Sequence, residues 1–262
     1  MHNLILNGAW RYAPQELEFY LLDYKEGTEF AFYKDLPQVR VLSMESSRAF
    51  GLCVLESLVQ EMDRRGALFK KAGVSDLAHW REHTGETLAR IVVIIDEFQV
   101  LLVGQDRFSR EAAERLDDIT RRGRSFGLHL VLSTQTLKNT NINDSTLSNI
   151  AIRIGLQMDE SDCAKFFHRD NLAASSLKKV GEAYYNTGQG RSEDNVRFQV
   201  AFLDRNKEIP GRVEQLRRRG QALDNRHISK PKNRTWKRGS TNCFDLSKRV
   251  RRTLRTANCL MC

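Results

Sequence analysis

Asp96 and Glu97 stand side by side at the end of five consecutive apolar residues, Ile91 to Ile95. A short, β-branched, uncharged run reads as a strand buried on both faces, the habit of parallel α/β sheets. Open α/β sheets bind their ligands outside the carboxyl ends of the strands. Two acids there can divide a task, one holding a cation such as Mg2+ while its neighbour orients a water that attacks a phosphoryl group. The alternative is a buried strand ending in a turn with two solvated carboxylates. Two further apolar runs also end in polar groups: Leu17–Leu22 in Asp23 and Lys25, and Leu128–Ser133 in Thr134 and Gln135. Parallel strands set their ends along one edge, so the three pairs can gather in a single crevice. Gln135, beside the acid-bearing strand, is the candidate sensor of a terminal phosphate; its plainer reading is a loop cap.

Holding three strand ends together requires a sheet with crossover helices. Met1 to Tyr12 reads as the latter part of a helix with Leu4, Ile5 and Trp10 apolar, and Pro14 lies in the break after it. Asp23, Lys25 and the turn residue Gly27 follow the first strand, and Val39–Leu42 is a second strand. Ser46 to Ala72 carries Leu52, Leu55, Leu58, Val59 and Met62 at helical spacing, with Glu56, Gln60, Asp63 and Arg64 opposite, as in a surface helix packed on a sheet. A connecting stretch runs from Gly73 through Gly85. Arg110–Arg122 is a helix ended by Gly123 or Gly127. A polar loop over 136–145 leads to a short helix, then come a strand over Ala151–Gln157 and a short helix over Ser161–Phe167. Tyr184–Tyr185 and Val196–Leu203, flanking Gly188 and Gly190, pattern as a β-hairpin. Strands alternating with helices imply a largely parallel sheet. Periodicity fades from Glu208, and disorder is expected from His227.

Composition narrows the classes. Hydrophobic residues make up 40% and charged residues 29% of the 262, ordinary for a globular chain. The net charge of +9 is uneven: from Arg205 onward 17 Lys/Arg face 4 Asp/Glu, so residues 1–204 are net acidic. Basic character therefore belongs to the tail, which suits nucleic acid first and anionic lipid second, or simply solvent. No apolar run approaches the roughly 20 residues that span a bilayer, and Met1–Asn7 lacks signal-peptide character. Five scattered cysteines argue against a disulfide framework and for a reducing cytoplasm. The C-x-x-C spacing of Cys259 and Cys262, formally also a prenylation pattern, is read as chance.

Taken in order, these motifs resemble the FtsK/SpoIIIE family of ring-forming DNA-translocating ATPases. The resemblance is carried by Leu-Leu-Asp23-Tyr-Lys25, Glu61-Met-Asp-Arg-Arg65, Ile-Ile-Asp96-Glu97-Phe98, Arg124-Ser-Phe-Gly127-Leu-His129-Leu-Val-Leu-Ser-Thr134-Gln135 and Ser148-Asn-Ile-Ala-Ile-Arg153-Ile, and covers roughly residues 1–205. It implies an α/β, RecA-like P-loop NTPase core with a mainly parallel sheet and a C-terminal β-hairpin. It also implies ATP and Mg2+ as ligands, a homo-hexamer or an intact FtsK-like motor as assembly, and double-stranded DNA as substrate. By resemblance, Asp96 holds Mg2+, Glu97 is the catalytic base, Gln135 is the sensor, and Asp23, Lys25 and Thr134 face the nucleotide. Arg124 and Arg153 are candidates for the arginine that reaches a neighbouring subunit's phosphates; either is equally readable as a surface or salt-bridged arginine.

One departure is large. Gly-x4-Gly-Lys-Ser/Thr, whose backbone amides and lysine wrap phosphates at a helix N-terminus, occurs nowhere in the 262 residues. Gly188-Gln-Gly190-Arg-Ser192 lacks the first glycine and the lysine, and leads into a strand. Met1-His2-Asn3-Leu4-Ile5 resembles the helix directly after that loop, so the core is expected to lack its first strand and P-loop, leaving a gap bordered by unpaired strands. The expectation is a partial ATPase domain over 1–205, carrying the Walker B and sensor half, followed by a basic, disordered tail over 206–262. Within that tail Lys230, Lys232, Arg234, Lys237 and Arg238 are candidates for DNA phosphates, with Trp236 able to stack. A translocase competes with a non-catalytic module that docks on DNA or on a motor ring.

Overall fold

Strands β1 (Leu17–Asp23), β2 (Val39–Ser43), β3 (Arg90–Asp96) and β4 (Leu128–Leu132) form one all-parallel sheet in the order β2-β1-β3-β4. The structure, a computed structural model, describes residues 1–25, 28–43, 47–138 and 140–224. Gly27, Ser46, the five basic candidates from Lys230 to Arg238 and the Cys259–Cys262 pair lie outside them. The apolar run of β3 alternates between two layers. Ile91, Val93 and Ile95 pack with Leu55, Leu58, Met62, Leu116 and Ile119, whereas Ile94 packs with Ile5, Leu6, Phe19 and Ile209. Burial on both faces is what an uninterrupted β-branched run demands.

Local signals place the covering helices. Helix α1 (His2–Arg11) lies on one face and is stapled to the sheet where Gly8 admits the Phe19 ring. Helix α2 (Arg48–Ala72) starts where the Ser47 side chain accepts from the Phe50 amide, and stops at Gly73 with φ 69°. The stretch between Gly73 and Gly85, where the sequence pattern predicts only a connection, holds helix α3 (Leu77–Thr84), capped by Asp76. A single turn, α4 (Gln99–Leu102), follows β3. Helix α5 (Arg107–Phe126) is longer than expected, because Asp106 caps it and Gly127, at φ 74°, ends it. Gly123 lies inside the helix, close to the Leu128 carbonyl.

Beyond β4 come α6 (Asp144–Asn149), β5 (Arg153–Gly155), α7 (Glu160–Phe166), β6 (Glu182–Asn186), β7 (Asn195–Gln199) and α8 (Ile209–Asp224). The expected hairpin is present as β6 and β7, which stop short of Leu203, and β5 joins β6 antiparallel in a separate three-stranded sheet. The strand expected over Ala151–Gln157 shrinks to three residues. The expected gap is not inside the main sheet: β1 pairs directly with β3 and β3 with β4, so the sheet simply ends at β4. Helix α8 corrects the expectation of lost order over 209–224. Its Ile209, Val213 and Leu216 are buried against Ile5, Phe30 and Leu36, contributions of about 1.5–3 kcal/mol each by apolar burial.

Candidate functional site

Asp23 and Asp96 are register partners at the ends of adjacent parallel strands. The turn after β4 joins them: the Ser133 amide donates to the Ile95 carbonyl, and the Phe98 amide donates to the Ser133 carbonyl. Asp96, Glu97, Asp23, Thr134 and Gln135 therefore share one rim of the sheet, as their positions after three parallel strands predict.

Their surroundings differ. Asp23 is fully buried, and its two oxygens accept the backbone amides of Lys25 (2.8 Å) and Glu29 (2.7 Å), so it fixes the loop after β1. Lys25 itself is exposed. Asp96 is buried, which pushes its carboxyl above the ordinary range; a Ser133 hydrogen bond opposes the shift, while Glu97, Asp23 and Glu29 add to it. A cation beside Asp96 would offset that crowding of negative charge. Glu97 is buried with φ 54°, a left-handed backbone that a non-glycine residue adopts at a cost. Its Oε2 accepts from Gln99 Nε2 at 2.5 Å. Thr134 bonds within its own turn, donating to the Thr136 carbonyl and accepting the Thr136 amide. Gln135 is exposed at the rim and makes no hydrogen bond among the described residues.

Helix α1 begins over the same rim. It has no side-chain N-cap, and its His2 ring bridges the Tyr33 hydroxyl (2.9 Å) and Glu29 (2.8 Å). Arg205, just before α8, pairs with the other Glu29 oxygen at 2.6 Å and lies over the Phe32 ring. Sequence reading did not single out Ser133, Gln99 or this His2–Glu29–Arg205 chain; only the fold brings residues 2, 29 and 205 together.

The two arginine candidates part company. Arg124 is exposed in the last turn of α5, at the opposite rim, where β4 begins and His129 is its electrostatic neighbour. Arg153 is buried, and its guanidinium donates to the carbonyls of Leu147, Ile150, Phe166 and Phe167. Those carbonyls close α6 and α7, so in this structure Arg153 is occupied as a double helix C-cap.

Oxygen ligands at the rim suit a hard cation such as Mg2+, which takes one or two carboxylates together with phosphates and water. Among the described residues no group of three or more His, Cys, Asp or Glu side chains is arranged for a metal. Two clefts elsewhere, by His168 and Arg191 and by His79 and His83, contain none of the rim residues.

A sequence model of the FtsK/SpoIIIE family matches residues 1–173. The chain belongs to the FtsK/SpoIIIE family. Within it, the chain is 29% identical over 209 residues to the ESX-5 secretion system protein EccC5 of Mycobacterium marinum, covering 76% of this chain and 14% of the relative. It is 28% identical over 219 residues to the type VII secretion system protein EssC of Staphylococcus aureus, covering 80% and 14%. These 262 residues thus span about one-seventh of the curated relatives they match. Among solved structures, the cytoplasmic domain of the Thermomonospora curvata type VII secretion ATPase EccC superposes with a TM-score of 0.69 at 24% identity, covering 82% of this chain and 26% of that one. A monomer form of the pCW3 conjugation coupling protein TcpA with ATPγS gives a TM-score of 0.64 at 25% identity, covering 78% and 58%. The α/β fold with its parallel four-stranded sheet is that of a RecA-like P-loop ATPase core, and FtsK/SpoIIIE membership implies nucleotide binding. No helix among the described residues is long and apolar enough to cross a membrane.

Proposed function

We propose that this FtsK/SpoIIIE chain supplies the metal-holding and water-activating half of an ATP-hydrolysing motor site. The observation that carries the reading is the Asp96–Glu97 pair at the rim, with Glu97 held at positive φ and Gln135 on the loop that follows the neighbouring strand β4. Asp96 would hold Mg2+, which supplies charge neutralisation on the phosphates when bound. Glu97 takes the proton of a water whose oxygen attacks the γ-phosphorus; the bond to the bridging oxygen breaks and ADP leaves. Gln135 contacts the terminal phosphate, Lys25 and the start of α1 lie towards the phosphate chain, and Thr134 shapes the sensor turn. Arg124, at the opposite rim, can act only on a neighbouring subunit's nucleotide, which requires an oligomeric ring.

Such a site also needs a phosphate-gripping loop, which these 262 residues do not contain, so by themselves they are expected to bind nucleotide weakly. Sub-millimolar ATP affinity by isothermal titration would contradict this. With Mg2+ and millimolar ATP, slow hydrolysis is expected that E97Q removes; turnover no different from E97Q would overturn the half-site reading.

The relatives' names favour a motor of protein secretion, acting on the cytoplasmic side with residues 1–205 as its ATPase part. A second reading, translocation of double-stranded DNA, is favoured by the basic residues Lys230, Lys232, Arg234, Lys237 and Arg238. Salt-sensitive binding of duplex DNA that falls when these are neutralised would support it; the same binding without any ATP hydrolysis would support the non-catalytic module.

A further inference from the structure

We propose that Gln99 is a positioning residue for the water that Glu97 activates: its amide nitrogen fixes the carboxylate, and its carbonyl oxygen accepts the water's second hydrogen. The inference rests on the ATPase reading above and adds a residue to it.

Three observations meet at this side chain. Gln99 Nε2 donates to Glu97 Oε2 across the turn. One carboxylate oxygen is thereby taken, and Oε1 of Glu97 is left for a proton. Gln99 Oε1 is buried and has no hydrogen-bond partner among the described residues. A buried unpaired carbonyl is costly, and because an amide is a rigid plane, this one is held beside the carboxylate that its own nitrogen serves. Third, the turn is stiff. The Phe98 amide is tied to Ser133, the Val100 amide donates to Glu97 and the Leu101 amide to Phe98, while the Phe98 ring is buried in the core. Glu97, at φ 54°, is thus presented by a backbone that does not rearrange freely.

Glu97 Oε1 and Gln99 Oε1 are two acceptors, and water has two hydrogens to give. Held by both, its oxygen lone pair faces away from them, towards a phosphorus at the rim. As that oxygen bonds to the γ-phosphorus, one proton passes to Glu97 and the bridging P–O bond breaks to release ADP. The second hydrogen stays on the product phosphate, still bonded to the Gln99 carbonyl. Donating to Oε2 also keeps the carboxylate from rotating its free oxygen out of reach. A merely structural Gln99 would only brace the turn.

The test compares Mg2+-dependent ATP hydrolysis and Tm for the full chain and its Q99A, Q99E and E97Q forms across pH. Q99A is expected to lower kcat about 10- to 100-fold with KM and Tm unchanged. In Q99E, a protonated carboxylic acid reproduces the amide's donor and acceptor, whereas an ionised one offers no donor and sets a second negative charge beside Glu97. Q99E is therefore expected to work best at acid pH and to lose rate as pH rises, unlike wild type. Q99A turnover within twofold of wild type, or a Q99E pH profile matching wild type, would overturn the inference alone. Wild-type turnover no greater than that of E97Q would overturn the inference and the ATPase reading together.

Discussion

Replacing Arg153 by methionine separates a structural arginine from one that reaches phosphate. The guanidinium donates to Phe166 O at 2.8 Å, Phe167 O at 2.6 Å, Leu147 O at 2.8 Å and, more weakly, Ile150 O at 3.3 Å. Three good bonds from a charged donor contribute roughly 1.5–3 kcal/mol each. Against them stands the desolvation of a buried cation, effectively several kcal/mol. Burial already pulls the Arg153 pKa down, and no carboxylate among the described residues counters it. Methionine fills similar volume and removes that cost, but strands the closing carbonyls of α6 and α7, which also lose a favourably placed charge. The net expectation is a destabilisation of about 2–4 kcal/mol. For a chain of this size that lowers Tm by roughly 5–12 °C. Thermal and urea unfolding of R153M and R153K measure it, R153K falling between because one ammonium cannot serve both helix ends. R153M melting within about 1 °C of wild type would refute the reasoning and return Arg153 to the phosphate-reaching candidates.

Three other outcomes follow from the same structure. I209A removes a fully buried side chain from the contact between α8 and α1, and should cost about 2–4 kcal/mol in urea unfolding; no loss would mean that the folded unit ends before α8. D96N should raise Tm at neutral pH while abolishing Mg2+-dependent hydrolysis. The raised Asp96 pKa means that the folded chain holds this proton more tightly than the unfolded chain, so ionisation subtracts stability as pH climbs past the ordinary carboxylate range, and asparagine escapes that loss. Equal melting of the two proteins at pH 7 would count against it. His2 has the opposite sense: burial lowers its pKa, with Glu29 opposing, so the unfolded chain binds the proton more readily just below 6.5. Its contribution is fully present above that pH and fades below it, and H2Q should flatten that limb of the stability–pH curve.

If the rim is a catalytic half-site, the cost of its crowding is visible. Asp23, Asp96, Glu97 and Glu29 converge, and each leans on a different donor: backbone amides for Asp23, Ser133 for Asp96, Gln99 for Glu97, and His2 with Arg205 for Glu29. Glu29 ties the loop that caps Asp23 both to α1 through His2 and to the strap before α8 through Arg205, so the C-terminal helix is mechanically joined to the ligand-bearing edge.

Much of this was legible from local pattern. Ile91–Ile95 announced a doubly buried strand because an unbroken β-branched run has no solvent face to offer. Parallel pairing then put Asp23 beside Asp96 without further information. What escaped had weak or masked local signals. Helix α3 is short, and only Asp76 and Gly85 punctuate it. The buried face of α8 is Ile209, Val213 and Leu216, an i, i+4, i+7 stripe hidden among four arginines.

The amino-acid order alone determined which residues end strands at one rim, since period and parallel connection are properties of nearby sequence. Only the tertiary structure decided how each rim group is used. It turned Asp23 into a loop anchor, Arg153 into a helix cap and Gln99 into the partner of Glu97. Those assignments depend on which backbone amides and carbonyls arrive from distant parts of the chain, and on the burial that makes leaving them unpaired costly.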